Sequence, residues 1–396
     1  MKSNLLIVVI SFFIGLYSVE LFLETTNFVE KKKLEKVEHE LNKKIKIAKI
    51  NKIYFDKRSI KEVINDYKKE SINSSILIKP TKFVSSNGFK TKNGKLIYPL
   101  AGISKILTIN CNENGNMSEY FSDRYGFANK DNVWDSKKID ILMLGDSFAH
   151  GACVDPDNNI SHYLENFSKK NIINLGYGAN GPLIELATYF EYGKKKKPEI
   201  ILWFYYEGND LKNLRNEIKS KELIKYLTTD HNQELINKQK IIDKYLLNYQ
   251  NKSLKNLQNS KKKKINPIKV VKLGNIRTII IQSPFIQNKK NCSYKNINNF
   301  FNIIKKIDST AYKEDSKFYF VYLPTYYRFV TKNNFCKSEI INGLNNYKIN
   351  YIDIHKELFD KIENPLIYFP FKMFGHYTSS GYKEIAKIIV RKIQVD

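Results

Sequence analysis

Three residues of this chain have the types needed for nucleophilic chemistry: Ser147, Asn209 and His376. A serine hydroxyl attacks poorly unless a base, usually histidine, removes its proton and donors receive the oxyanion that forms. Ser147 closes Gly145-Asp146-Ser147 at the end of an apolar run. Asn209, within Gly208-Asn209-Asp210, offers a side-chain amide as a donor. His376 sits in a late loop, after Gly375. Gly176-Tyr177-Gly178-Ala179 adds small residues whose backbone N–H groups can face a ligand. His150, three residues beyond Ser147, is expected at the rim of such a site or facing away from it, and Asp146 and Asp210 are expected to fix local turns. Taken singly, each residue also has a plain structural role: Ser147 as a helix cap, Asn209 as a turn residue, His376 as a surface histidine.

The elements that must position them read clearly. Residues 139–144 are continuously apolar, as a strand buried on both faces of a parallel sheet must be. A serine where such a strand gives out is aimed at the crevice where open α/β sheets bind ligands. Residues 172–175 form a second such strand, stopped by the glycine-rich stretch 176–182. Residues 200–206 form a third, ended by Glu207-Gly208-Asn209-Asp210. Helical spacing fits 159–169 and 183–192, the latter with Pro182 near its first turn. After a polar, lysine- and asparagine-rich helical insertion over 211–264, with lysines 261–264 as a solvated run, the alternation resumes. A helix over 300–307, strands over 318–323 and 349–354 and a closing helix over 384–393 complete it. The expected class is α/β, a three-layer α/β/α fold of flavodoxin-like type with a mostly parallel five-stranded sheet.

Residues 5–23 are apolar apart from Ser11, Gly15, Ser18 and Glu20, about the ~20 residues a membrane span needs. We read 1–27 as a transmembrane signal anchor, 28–85 as a juxtamembrane helical stalk and 86–396 as the catalytic domain. A cleaved signal is the alternative, but no A-x-A-like site follows. Lys31-Lys32-Lys33 outnumber Lys2 and by a strict count would hold the domain in the cytoplasm. An N-terminal apolar segment before a long globular domain usually exports it, so the expectation is a single pass in the inner membrane with the domain on the periplasmic side.

The charge of +26 comes from 66 Lys+Arg against 40 Asp+Glu. Only six of the cations are arginine, the better reader of phosphate and base edges. Scattered lysine is therefore read as a solvated surface, with no nucleic-acid partner. The four cysteines form no C-x-x-C pair, and no H-E-x-x-H, P-loop or dinucleotide fingerprint occurs, so no metal or cofactor is expected. G-x-S-x-G is absent at Ser147, which argues against the α/β-hydrolase fold.

Gly145-Asp146-Ser147-Phe148 after a buried strand, the glycine turn after the second, Gly208-Asn209-Asp210, and Gly375-His376-Tyr377 before a terminal helix together resemble the four blocks of the SGNH (GDSL-type) hydrolases. The resemblance covers residues 121–395, with 211–264 unmatched, and points to the membrane-anchored esterase and O-acyltransferase group. It implies Ser147 as nucleophile and first oxyanion N–H, Asn209 as side-chain donor and His376 as base. In the N-x-G-x-x-G pattern Asn174 and Gly176 match, and Ala179 holds the last glycine position; its backbone N–H or that of Gly178 supplies the remaining donor. The implied activity is ester hydrolysis, or O-acyl transfer with the same residues, on acyl esters of carbohydrate or envelope polysaccharide, acetyl esters above all.

One departure matters. The family places an acid three residues before the histidine, and here that position is Met373. Either Ser147 and His376 act as a dyad, or another carboxylate, with Asp353 at the end of the last strand as the candidate, takes the role. A catalytically degenerate glycan-binding or assembly protein remains the second reading. Cys111 and Cys153 flank the Ser147 strand, and Cys292 and Cys336 flank the fourth; an exported domain is expected to join Cys111 to Cys153.

Overall fold

The computed structural model describes residues 2–258, 265–281, 283–331 and 333–395. Ten strands occur among them. β1 (Ser74–Ile76), β4 (Leu107–Ile109) and β5 (Glu119–Phe121) form a small sheet, and β2 (Phe89–Lys90) pairs with β3 (Leu96–Ile97). The main sheet holds β6 (Ile141–Gly145), β7 (Ile172–Asn174), β8 (Ile200–Tyr206), β9 (Lys317–Leu323) and β10 (Tyr351–Asp353).

All neighbours in the main sheet are parallel, in the order β7-β6-β8-β9-β10. Numbered within the sheet this is 2-1-3-4-5, the doubly wound flavodoxin-like order, whose strand order reverses between its first and third strands. The crevice at the C-terminal ends of β6 and β8 is therefore where a ligand is expected, and Ser147 and Asn209 follow those two strands. Every residue of β6 and β8 is buried, which explains their unbroken apolar sequence. Leu142 and Leu144 pack into the core on one face, Ile141 and Met143 into the core on the other, as the two-residue side-chain period requires. Helices Pro182–Thr188 and Tyr294–Lys313 cover the first face; Ile160–Ser168 and Ser379–Val395 cover the second.

Two boundaries differ from the sequence reading. The stalk drawn over 28–85 is not separate from the domain: Lys44 and Ala48 are buried, and β1 pairs residue for residue with β4. Short three-residue strands buried by tertiary contact leave too little periodicity to be read. The helical insertion also runs past 264, through Pro267–Val271 and Gly274–Ile281; the lysine run 261–264 lies outside the described residues.

The insertion is fastened to the body by buried polar contacts. Glu191 accepts from the backbone N–H of Leu235 at 2.9 Å and from those of Gln233 and the Tyr226 hydroxyl. From the insertion helix Gln239–Gln258, Gln250 Oε1 accepts from Ile76 N–H and Ser75 Oγ, both at 2.8 Å. At the N-terminus the helix Asn4–Thr25 is long and apolar enough to cross a membrane.

Candidate active site

β6 ends at Gly145 with φ +148°, and a Cβ there would lie 2.7 Å from Ala149 Cβ and 2.8 Å from Phe204 O. Only glycine lets the strand turn so abruptly into the short helix Ser147–His150. Asp146 caps that helix, its Oδ1 accepting from Phe148 N–H at 2.8 Å. Ser147 occupies the first helical position, where a backbone N–H has no intrahelical acceptor and can serve a ligand.

β7 leads to a loop pinned by Asn174, which accepts from Gly176 N–H and donates to Ala149 O, both at 2.8 Å. A Cβ on Gly176 would stand 2.6 Å from His150 N, so this glycine allows the two loops to touch. Ala179 adopts φ +63°. The N–H groups of Gly178 and Ala179 find no backbone acceptor among the described residues, and both residues line the cleft beside Ser147. Glu217 holds this loop from behind, accepting from Gly181 N–H at 2.7 Å and Leu183 N–H at 3.0 Å. Burial pushes its carboxyl up to about 7.

Asn209, after β8, donates from Nδ2 to Asp146 Oδ2 at 3.1 Å, and Ser147 Oγ lies 3.4 Å from the same oxygen. The amide and the hydroxyl thus converge on one carboxylate, and the second Nδ2 hydrogen is left for a ligand. Asp146 is fully buried, which raises its pKa.

His376 Nε2 is 2.8 Å from Ser147 Oγ. On the far side of the ring, Glu113 Oε2 lies 3.1 Å from Nδ1 and accepts from the His376 backbone N–H at 2.6 Å. Protonation at Nδ1, facing the carboxylate, leaves Nε2 to accept from the serine. Gly375 makes room for this contact: a Cβ there would sit 2.6 Å from Glu113 Oε2. Burial acts to lower the His376 pKa, but the Glu113 charge and hydrogen bond, helped by the Asp146 charge, hold it above the usual imidazole value. Burial alone would raise Glu113; the His376 charge and hydrogen bonds and the Lys44 charge bring it down to about 2.

Asp353 does not take the orienting role. It caps the helix Ile354–Glu357, accepts from Lys356 N–H and pairs with Lys337 at 2.8 Å. Neither does the chain resort to a bare dyad. The carboxylate that meets His376 Nδ1 is Glu113, in the loop between β4 and β5. The sequence carried one pointer to it: Cys111 and Cys153 form a disulfide, so Glu113, two residues from Cys111, is tied to the loop that follows Ser147. His150 is buried, its Nδ1 3.3 Å from Gly176 O, and burial lowers its pKa to about 4. Asp210 Oδ2 accepts from Tyr206 N–H at 2.8 Å, a turn-fixing contact. Cys153 Sγ lies 3.5 Å from His376 Nδ1 beside Glu113. As a disulfide sulfur it offers no thiolate to a metal.

The cleft has a volume of about 620 Å³. Ile76 at the end of β1 and Leu77 just after it, Leu254 from the insertion and Phe374 give it apolar walls, and Lys79 also lines it.

No protein-family model matches the chain, and no curated protein matches it. Similar solved structures include a protein described as lipolytic and of the G-D-S-L family from Desulfitobacterium hafniense DCB-2, with 14% identity, a TM-score of 0.35, and 64% of this chain and 99% of that chain covered. Another is the lipase/acylhydrolase from Enterococcus faecalis, with 14% identity, a TM-score of 0.35, and coverage of 65% and 95%. A third is a two-domain esterase active on acetylated mannans, co-crystallised with mannopentaose, with 11% identity, a TM-score of 0.37, and coverage of 67% and 51%.

Proposed function

We propose that this protein is a membrane-anchored serine esterase of the SGNH type, acting on acyl esters of carbohydrate, acetyl esters above all. The observation that carries the reading is the Ser147–His376–Glu113 relay, with contacts of 2.8 and 3.1 Å, opening on a cleft that three further donors line.

The chemistry follows from the geometry. Ser147 Oγ adds to the ester carbonyl as its proton passes to His376 Nε2, and Glu113 steadies the imidazolium. The carbonyl oxygen becomes an oxyanion, received by the N–H of Ser147, a backbone N–H of Gly178 or Ala179, and Asn209 Nδ2. The C–O bond to the leaving alcohol breaks and the alcohol takes the proton from Nε2, leaving an acyl-serine. Water, deprotonated by His376, then attacks the acyl carbon; the acid departs and the serine recovers its proton. If a sugar hydroxyl replaces that water, the same residues perform O-acyl transfer.

The cleft volume of about 620 Å³ supports a substrate of the size of an acylated sugar. Against the degenerate reading stands Glu113, whose carboxylate meets His376 Nδ1 although Met373 holds the position three residues before the histidine. The span Asn4–Thr25 supports an anchor. The disulfides Cys111–Cys153 and Cys292–Cys336 support a domain on the oxidising, extracytoplasmic side.

The test is labelling by a serine-directed fluorophosphonate together with turnover of p-nitrophenyl acetate, with and without an acceptor glycan. The expected result is labelling and turnover that vanish in Ser147→Ala. Wild-type protein that neither labels nor turns over would overturn the reading.

A further inference from the structure

The insertion carries a feature the proposed chemistry does not use. Its helices Pro267–Val271 and Gly274–Ile281 present Ile268, Val271, Ile279 and Ile280 to the outside, 65, 68, 47 and 53% exposed. The same two helices pack against the apolar N-terminal helix. Tyr17 Oη donates to Val271 O at 3.3 Å. Glu20 accepts from the N–H groups of Asn275 and Ile276 at 2.8 and 2.9 Å. Glu24 pairs with Lys269 at 2.8 Å and accepts from the Asn275 amide at 3.0 Å. Both carboxylates are thereby buried, Glu20 completely.

These contacts fix where the insertion sits along the span. At 1.5 Å per residue, Asn4–Thr25 is about 33 Å long, close to the thickness of a bilayer core. Tyr17, Glu20 and Glu24 occupy its C-terminal half, so whatever touches them lies at the depth of one leaflet. Acids facing lipid there would be costly, and the insertion removes that cost. Beside the helices runs a groove lined by Lys212, Arg215, Lys219, Lys290 and Lys295, with Thr278 and Ile281 of the second helix at its wall and no carboxylate among its lining residues. Apolar side chains flanked by lysine and arginine are the composition of an in-plane interfacial element on an anionic surface.

We propose that Pro267–Val271 and Gly274–Ile281 lie in the interface of the bilayer that the N-terminal helix crosses, their isoleucine face in the acyl region and the basic groove on anionic phospholipid headgroups. The insertion is then a second membrane attachment. It fixes the rotation of the catalytic domain about its anchor, so the cleft is held at a set orientation to the membrane surface. The proposal rests on the anchor reading.

The test uses the full, oxidised chain in nanodiscs of mixed zwitterionic and anionic phospholipid. Because all four cysteines are disulfide-bonded, a nitroxide can be placed by Ile280→Cys, Ile268→Cys, Val8→Cys or Tyr312→Cys. Labels at 280 and 268 are expected to collide with oxygen and to be shielded from an aqueous nickel chelate, as at 8, while the label at 312 is nickel-accessible. Nickel access at 280 and 268 equal to that at 312, with 8 shielded, overturns the proposal and spares the anchor; nickel access at 8 overturns the anchor itself. Spin–spin broadening at 280 would show a second copy covering this face instead of lipid, and would also overturn it. Retained ester turnover in each variant reports that it folds, and the second helix provides an independent reading should one variant fail.

Discussion

One oxygen of Glu113 holds His376 at two points, accepting from its backbone N–H at 2.6 Å and from Nδ1 at 3.1 Å. The carboxylate therefore fixes both the position of the loop and the tautomer of the ring, from a segment 263 residues away in the chain.

Glu113→Gln is expected to keep the fold and lose the chemistry. An amide can turn its NH₂ toward Nδ1 and stabilise the wrong tautomer, as in other serine triads, where such a change costs on the order of 10⁴ in kcat. Turnover of p-nitrophenyl acetate with a parallel melting curve checks this. Activity within a few-fold of the parent would remove Glu113 from the relay.

The pH profile follows from the same pair. His376 works as a base only when neutral, and its pKa is raised, so kcat/KM is expected to fall on the acid side with an apparent pKa above the ordinary 6.5. Removing the charge at 113 shifts that limb to lower pH. For stability the signs are opposite. The depressed Glu113 contributes above its ordinary 4.5, and its contribution is lost as pH falls toward 2. The raised His376 contributes at low pH, and its share is lost as pH rises through the folded value. An acid limb unmoved by Glu113→Gln would contradict this.

Gly375→Ala tests the approach rather than the charge. The added Cβ would meet Glu113 Oε2 at 2.6 Å, so carboxylate and ring must separate. Expected are a fall in kcat with little change in KM, and loss of part of the pH shift above. Parental kinetics would mean the loop yields at no cost.

Replacing Cys111 and Cys153 by serine opens a loop of sequence separation 42. The chain-entropy account puts the loss of stability at about 4 kcal/mol. A drop in kcat is expected as well, because the disulfide ties the Glu113 loop to the loop after Ser147. Unfolding midpoints and kcat of the double variant, measured without reductant so that Cys292–Cys336 stays closed, separate the two effects; a parental kcat would contradict the second.

Beneath the site, Glu185 is fully buried, with the Trp203 indole beside it. Burial and the charges of Asp146 and Glu217 raise its pKa well above the ordinary value. The folded state therefore holds a proton that the unfolded chain releases, so this group costs stability as pH rises. Glu185→Gln is expected to flatten that decline and raise the melting temperature most at alkaline pH. A melting temperature that falls with pH as steeply as the parent's would contradict this.

The five strands of the main sheet were legible in the sequence: β6 and β8 because a strand buried on both faces must be apolar throughout and stops at glycine or a polar turn, and the others as shorter runs that repeat the alternation with helices. Ser147, Asn209 and His376 were legible for the same reason, since each follows such a stop or precedes the closing helix. Glu113 was not. It stands in an irregular loop between short strands whose burial comes from distant contacts, and an isolated glutamate there has no pattern to set it apart from the other acids. Asp353, at the end of a strand, had the better local signature and lies in a cap instead. Local periodicity records which face of an element is buried. Which carboxylate meets the far side of an imidazole depends on how two distant loops pack, and that is settled only when the disulfide, Gly375 and the small sheet bring them together.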